Sequence, residues 1–147
     1  MSVRDVPEQP VISELKRVTT PGLRWVGDAT ARLTERAAQA GGATGPRFVI
    51  FYRPVGEDAE GPVEVCLPVR PDAATRVEPA HREAYIPVRK GHFEVPRILS
   101  VYDGVYRWVR EHGFTTAGPS REVYGYRADL EAAGPGDLVC DVALPYR

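Results

Sequence analysis

The chain carries one ordered set of elements twice. One segment runs AAQAGGATGPRFVIFYRP and, after a gap, PVEVCLPV; the other runs VREHGFTTAGPSREVYGYR and, after a gap, LVCDVALPY. Each has a helical end, a glycine (Gly42, Gly113), a Gly-Pro pair (Gly45-Pro46, Gly118-Pro119) and an aromatic-rich β run. A turn of glycine, proline and acids follows, then a closing β run ending in Leu-Pro (Leu67-Pro68, Leu144-Pro145). Superposing the Leu-Pro pairs sets Glu64 against Asp141, Val65 against Val142 and Cys66 against Ala143. Two copies of about 65 residues point to an internal duplication with pseudo-twofold symmetry, since a solenoid needs more and shorter units.

The second half is the clearer one. Tyr85-Ile86-Pro87-Val88 suits a strand and Gly91-His92-Phe93-Glu94 a turn. Pro96 suits the first helical position, where its missing N–H costs nothing. Ile98, Val101, Tyr102, Val105, Val109 and His112 then recur at three- and four-residue spacing, an apolar helical stripe. Gly113 is placed to end that helix in the left-handed conformation. Strands are expected at 120–128 and 137–146.

In the first half a strand near 11–18 leads to Thr19-Thr20-Pro21-Gly22. Either Thr20 caps a helix with Pro21 first, or LRWV continues the strand and Asp28 caps a shorter helix. We prefer the second, which makes the halves equivalent. Strands near 47–54 and 62–70 complete the unit.

The fold class expected is therefore α+β. Two β-α-β-β units, 10–70 and 80–147, form a mainly antiparallel sheet with helices on one face and a ligand cleft between the halves. Residues 1–9 are expected to be a flexible tail. The 147 residues fit one domain, and 43% hydrophobic content is enough for a core. A net charge of −1 argues against direct nucleic-acid binding, which needs a basic face. No stretch is long and apolar enough for a membrane span, and the charged start MSVRDVPEQP lacks a signal-peptide core, so a cytoplasmic location is expected. Cys66 and Cys140 lie in β-like runs outside any CxxC or Cys/His cluster. They suit buried reduced thiols rather than zinc ligands, and no metal or cofactor is expected.

Strand alternation nominates a site. Val63, Val65 and Leu67, like Cys140, Val142 and Leu144, should face the helices, so Glu64 and Asp141 point the other way from equivalent places. Glu122, Tyr124 and Tyr126 share one face of their strand. Acids and tyrosines on one free, concave face would line a pocket, although a solvated polar face would show the same pattern. Tyr52, Tyr85 and Trp25 are further candidate lining residues, and each also suits a core. His81, His92 and His112 pair with no serine or cysteine in a catalytic pattern.

From Tyr85 to Tyr146 these residues resemble the GyrI-like effector-binding domain, the ligand-binding half of AraC- and BmrR-type multidrug-responsive regulators. The resemblance rests on Gly91-His92-Phe93, on Tyr102 through Trp108-Val109 and on Glu111-His112-Gly113-Phe114. Gly118-Pro119-Ser120-Arg121-Glu122-Val123-Tyr124 and the terminal Asp141-Val142-Ala143-Leu144-Pro145 complete it. It implies the duplicated fold, a cleft between its halves, and Glu122 as the acidic ligand-binding residue. Asp141 stands where the family carries a glutamate, one methylene longer. All of the length is taken up by the domain, so a stand-alone member without a DNA-binding helix-turn-helix is expected.

The function implied is binding of a small, largely apolar, cationic aromatic ligand, as a sensor or sequestrant. A carboxylate beside aromatic rings becomes favourable when a cation pairs with it. The family also implies two alternatives. One is hydrolysis of cyclopropane-containing or similar reactive molecules, with Glu122 and Tyr124 catalytic. The other is inhibition through a protein partner, as in gyrase inhibitors. A tetrapyrrole-binding role would need an axial ligand that no histidine obviously supplies.

Overall fold

The computed structural model describes residues 1–126 and 130–147. It is α+β, and its chain divides into two compact units. One comprises Pro7–Ala80; the other comprises His81–Arg147 together with Met1–Val6. No helix among the described residues is long and apolar enough to cross a membrane.

The strands are β1 (Ser2–Val6), β2 (Gln9–Val18), β3 (Arg47–Phe51), β4 (Gly61–Pro68), β5 (Arg76–Glu78), β6 (His81–Arg89), β7 (Ser120–Tyr124) and β8 (Leu138–Tyr146). The helices are α1 (Trp25–Ala38) and α2 (Arg97–Glu111). In the unit of residues 7–80 the strands run in the order β3-β4-β2-β5; in the other the order is β1-β6-β8-β7. Within each unit the pairs are antiparallel. The β-α-β-β unit thus occurs twice, as β2-α1-β3-β4 and β6-α2-β7-β8.

Two edge strands were not foreseen. Residues 2–6, expected as a loose tail, form β1, and β5 occupies what would be a linker. β1 precedes the first β-α-β-β in sequence but pairs with β6 of the second, Arg4 opposite Glu83. β5 precedes the second and pairs with β2 of the first, Arg76 opposite Val11. Both strands are short and rich in charge, so neither shows the apolar alternation that marks a strand in sequence. They form because a β2 or β6 edge offers unpaired backbone groups.

The first helix also differs from the preferred reading. Pro21 opens a 3-10 turn at Pro21–Arg24 that runs into α1 at Trp25. Proline's fixed φ suits a first turn, and Asp28 lies in the first turn of α1 instead of capping it. There its charge complements the positive end of the macrodipole. α2 begins one residue after Pro96, and Gly113 follows its end at φ +75°, a conformation that favours glycine. The strand expected at 120–128 ends at Tyr124; residues 127 and 128 lie outside the described residues.

Each helix covers one face of the strands of its own unit. Ile98, Val105 and Val109 of α2 bury against Ala84, Val88, Cys140, Val142 and Leu144. Ala29, Leu33 and Ala37 are the buried stripe of α1, which packs on β4 and β2. Arg32 of α1 bonds Glu14 on β2, directly opposite Val65, so Val63, Val65 and Leu67 share the helix side.

Candidate functional site

Glu122 is buried, at 7% exposure, and sits opposite Val142 across the β7–β8 ladder. Residues directly opposite in such a ladder share a face, so Glu122 lies on the helix side of its sheet. Its Oε2 accepts a hydrogen bond from the hydroxyl of Tyr102 on α2 and its Oε1 one from Tyr124, both at 2.5 Å. Phe93, just before α2, meets the Tyr124 ring edge-on, with centroids 6.4 Å apart. The donors to this carboxylate therefore include two hydroxyls from two elements, with the Phe93 ring against that of Tyr124. Burial, and next the charge of Glu122, hold the Tyr102 hydroxyl well above the usual phenol range, so it remains a proton donor.

Asp141 stands opposite Val123 instead, on the other face of the sheet. This corrects the expectation of one free face carrying all the acids and tyrosines. Asp141 accepts a hydrogen bond from Tyr126 at 2.6 Å and an ion pair from Arg4 Nη1 at 2.9 Å. The same guanidinium reaches Glu83 through Nε at 2.8 Å and lies 3.9 Å from the centroid of the Tyr85 ring. His81 Nε2 lies 2.8 Å from the second Glu83 oxygen. Burial alone would raise the Glu83 carboxyl, but the hydrogen bonds from His81 and Arg4 outweigh it and hold it below the usual range. Burial and the bond to Asp141 push the Tyr126 hydroxyl up to about 12.

The unit of residues 7–80 repeats this second arrangement. Glu64 pairs with Arg76 through Nε at 2.9 Å and Nη2 at 2.8 Å, and accepts a hydrogen bond from Tyr52 at 2.5 Å. Arg76 also pairs with Glu78 at 2.8 Å and touches the Cys66 sulfur at 3.5 Å. Burial opposes ionisation of Glu64, yet hydrogen bonds from Arg76, Ser13 and Tyr52 keep its carboxyl low. Trp25 opens α1, half-buried, with the Lys16 ammonium 5.9 Å from its ring centroid.

The candidates thus fall into three groups. Glu122 and Tyr124 are together with Tyr102, which the sequence pattern assigned only to the helical stripe. Asp141, Tyr126 and Tyr85 surround Arg4. Glu64 and Tyr52 surround Arg76, and Trp25 lies on α1 beside Lys16. The two arginines were missed, and a signal for them existed. Arg4-Asp5-Val6-Pro7 and Arg76-Val77-Glu78-Pro79 share Arg-x-x-Pro at one offset, which also superposes the starts of β2 on β6 and of α1 on α2.

The fold defined by these elements is shared with proteins of known structure. EcmrR, in its complex with DNA, superposes with a TM-score of 0.75 at 17% identity, over 99% of this chain and 56% of that one. The chain therefore spans little more than half the length of that protein. The EcmrR C-terminal domain alone gives 0.72 at 15% identity, over 99% and 96% of the two chains. A hydrolase from Listeria innocua gives 0.60 at 10% identity, over 99% and 90%. No protein-family model and no curated protein matches the sequence.

Proposed function

We propose that this chain is a small-molecule-binding domain of the GyrI-like effector-binding type, taking an apolar aromatic cation at Glu122. One observation carries the reading: a buried carboxylate whose hydrogen-bond donors include two tyrosine hydroxyls, set among rings on the helix side of its sheet. The fold likeness to the EcmrR C-terminal domain supports it.

Burying a carboxylate among rings costs it hydration, and a cation brought into contact with it there is attracted more strongly than in water. Ring faces add about 0.5–2 kcal/mol per cation contact. At 7% exposure the carboxylate has little contact with solvent, and a bound cation would compete with the hydroxyls of Tyr102 and Tyr124 for it. Contacts of this kind carry little directionality and admit cations of varied shape.

The test is titration with tetraphenylphosphonium and with a flat cationic dye, followed calorimetrically or by dye fluorescence. Glu122→Gln should weaken binding by about tenfold or more, equivalent to about 1.4 kcal/mol. Equal affinity in the variant would remove Glu122 from the site.

A second reading, hydrolysis, uses the same three side chains. In this reading the Tyr102 hydroxyl, kept protonated beside a carboxylate, would donate a proton while Glu122 orients water. Turnover of a strained electrophile, abolished in Glu122→Gln, would favour this reading over simple binding.

A further inference from the structure

Asp141 and Glu64 share one device. Each is an acid on a closing strand, bonded by a tyrosine hydroxyl and by an arginine on the adjoining edge strand's Arg-x-x-Pro segment. Neither edge strand pairs with the β-α-β-β unit that follows it. β1 leads into β2 through Pro7-Glu8 but pairs with β6; β5 leads into β6 through Pro79-Ala80 but pairs with β2. The two repeats thus trade their first strands, and with them the arginines.

The two trades differ in how far along the chain each arginine lies from its acid. Arg76 of β5 lies 12 residues from Glu64. Arg4 lies 137 residues from Asp141, joined through a two-residue link. β1 also buries little apolar surface: Val3 is 48% exposed and Val6 only half-buried. Its buried side-chain attachment is made by Arg4, on Glu83, Asp141 and Tyr85, and an exposed ion pair joins Asp5 to Arg82. Pro7 biases Val6 towards extended backbone and fixes its own φ, which favours a straight arm over a folded-back hinge.

We propose that β1 is an exchangeable arm: residues 2–6 of one copy dock on β6 of a second copy and lend Arg4 to that copy's Asp141, Glu83 and Tyr85. Every contact of the closed arm is regained in the exchanged dimer, so protein concentration and the preference of the link set the balance. The partner is a second copy of this chain because the receptor matches this arm in register, Ser2 to Val6 against Tyr85 to His81.

Asp5 and Arg82 face each other in that register, and both side chains are exposed. A chain carrying only Asp5→Cys is mixed at high concentration with one carrying only Arg82→Cys and bridged with a short bis-thiol reagent. Any 5–82 link is then between molecules. Wild-type chain, whose two thiols are buried, is the blank, and Glu60→Cys in place of Arg82→Cys reports random collision. We expect a covalent heterodimer exceeding the collision control by about tenfold, because docking raises the local concentration of the thiols. Adding Arg4→Ala to the Asp5→Cys chain, with its fold checked by circular dichroism, should reduce that product. A mixture linking no better than the collision control, while Asp5→Cys/Arg82→Cys in one chain closes on itself, would overturn the proposal. Failure of that double variant to close would overturn it too, by showing that the arm does not dock.

Discussion

Glu122 faces Val142 across the β7–β8 ladder, and this one register decides which side of the sheet its carboxylate occupies. Val142 belongs to the core under α2, so Glu122 meets Tyr102 from that helix. Asp141, one residue away along β8, faces the opposite way to Arg4.

The Tyr102–Glu122 bond gives a direct test of that placement. Tyr102→Phe keeps the ring and removes one donor from a buried carboxylate, which should cost about 1–3 kcal/mol. Urea denaturation would measure it, with Tyr106→Phe as reference. Tyr106 lies on the same helix but is 42% exposed, and its loss of a hydroxyl should stay within about 0.5 kcal/mol. Equal effects for the two variants would mean that Tyr102 does not hold Glu122.

Arg4→Ala strands Glu83 and Asp141, whose side chains are only 2% and 9% exposed. Removing one partner of a buried pair costs about 3–5 kcal/mol, and the 31% exposure of Arg4 lowers the expected loss to about 2–3 kcal/mol. Adding Asp141→Asn to Arg4→Ala should cost less than the sum of the single changes, since the two share one interaction. Additive losses in a double-mutant cycle would deny the pair any coupling.

Acid should weaken the fold through Glu83 and Glu64. Both carboxyls are held below their ordinary value of 4.5, by Arg4 and His81 in one case and by Arg76, Ser13 and Tyr52 in the other. A carboxyl depressed in the folded state stabilises it above the unfolded pKa and loses that contribution as pH falls through the folded value. The urea midpoint should therefore hold steady near neutrality and fall below about pH 4.5. Glu83→Gln should flatten that fall; an unaltered acid slope would show that Glu83 does not contribute to it.

Cys66 should behave as an inert thiol in the native protein. Burial, and next the charge of Glu64, push it up to about 12. Thiol reagents at mildly alkaline pH should label it only as fast as the chain opens, and rapidly in denaturant. Fast native labelling would place the sulfur at the surface, against its burial on the Arg76 side of β4.

Local patterns carried much of the architecture. The α2 stripe from Ile98 to Val109, Gly113 at its end and the two closing strands were legible because each rests on period and turn chemistry within a few residues. The opposition of Glu64 to the Val63–Val65–Leu67 face followed from alternation alone. Alternation within β7 was equally legible, but it cannot say which of its faces aligns with which face of β8. That depends on the connection between them, and shifting the register by one residue exchanges the faces. Glu122 was therefore found in sequence and assigned to the wrong side.

By itself, the sequence determined that a strand–helix–hairpin unit occurs twice and that its closing strands place Glu64 and Asp141 at equivalent points. Those facts depend on neighbours along the chain. Only tertiary structure decided that Tyr102 would meet Glu122 and that two polar edge strands would bring Arg4 to Asp141 and Arg76 to Glu64. Such pairings depend on which unpaired edge a segment finds in space, and no local periodicity records that choice.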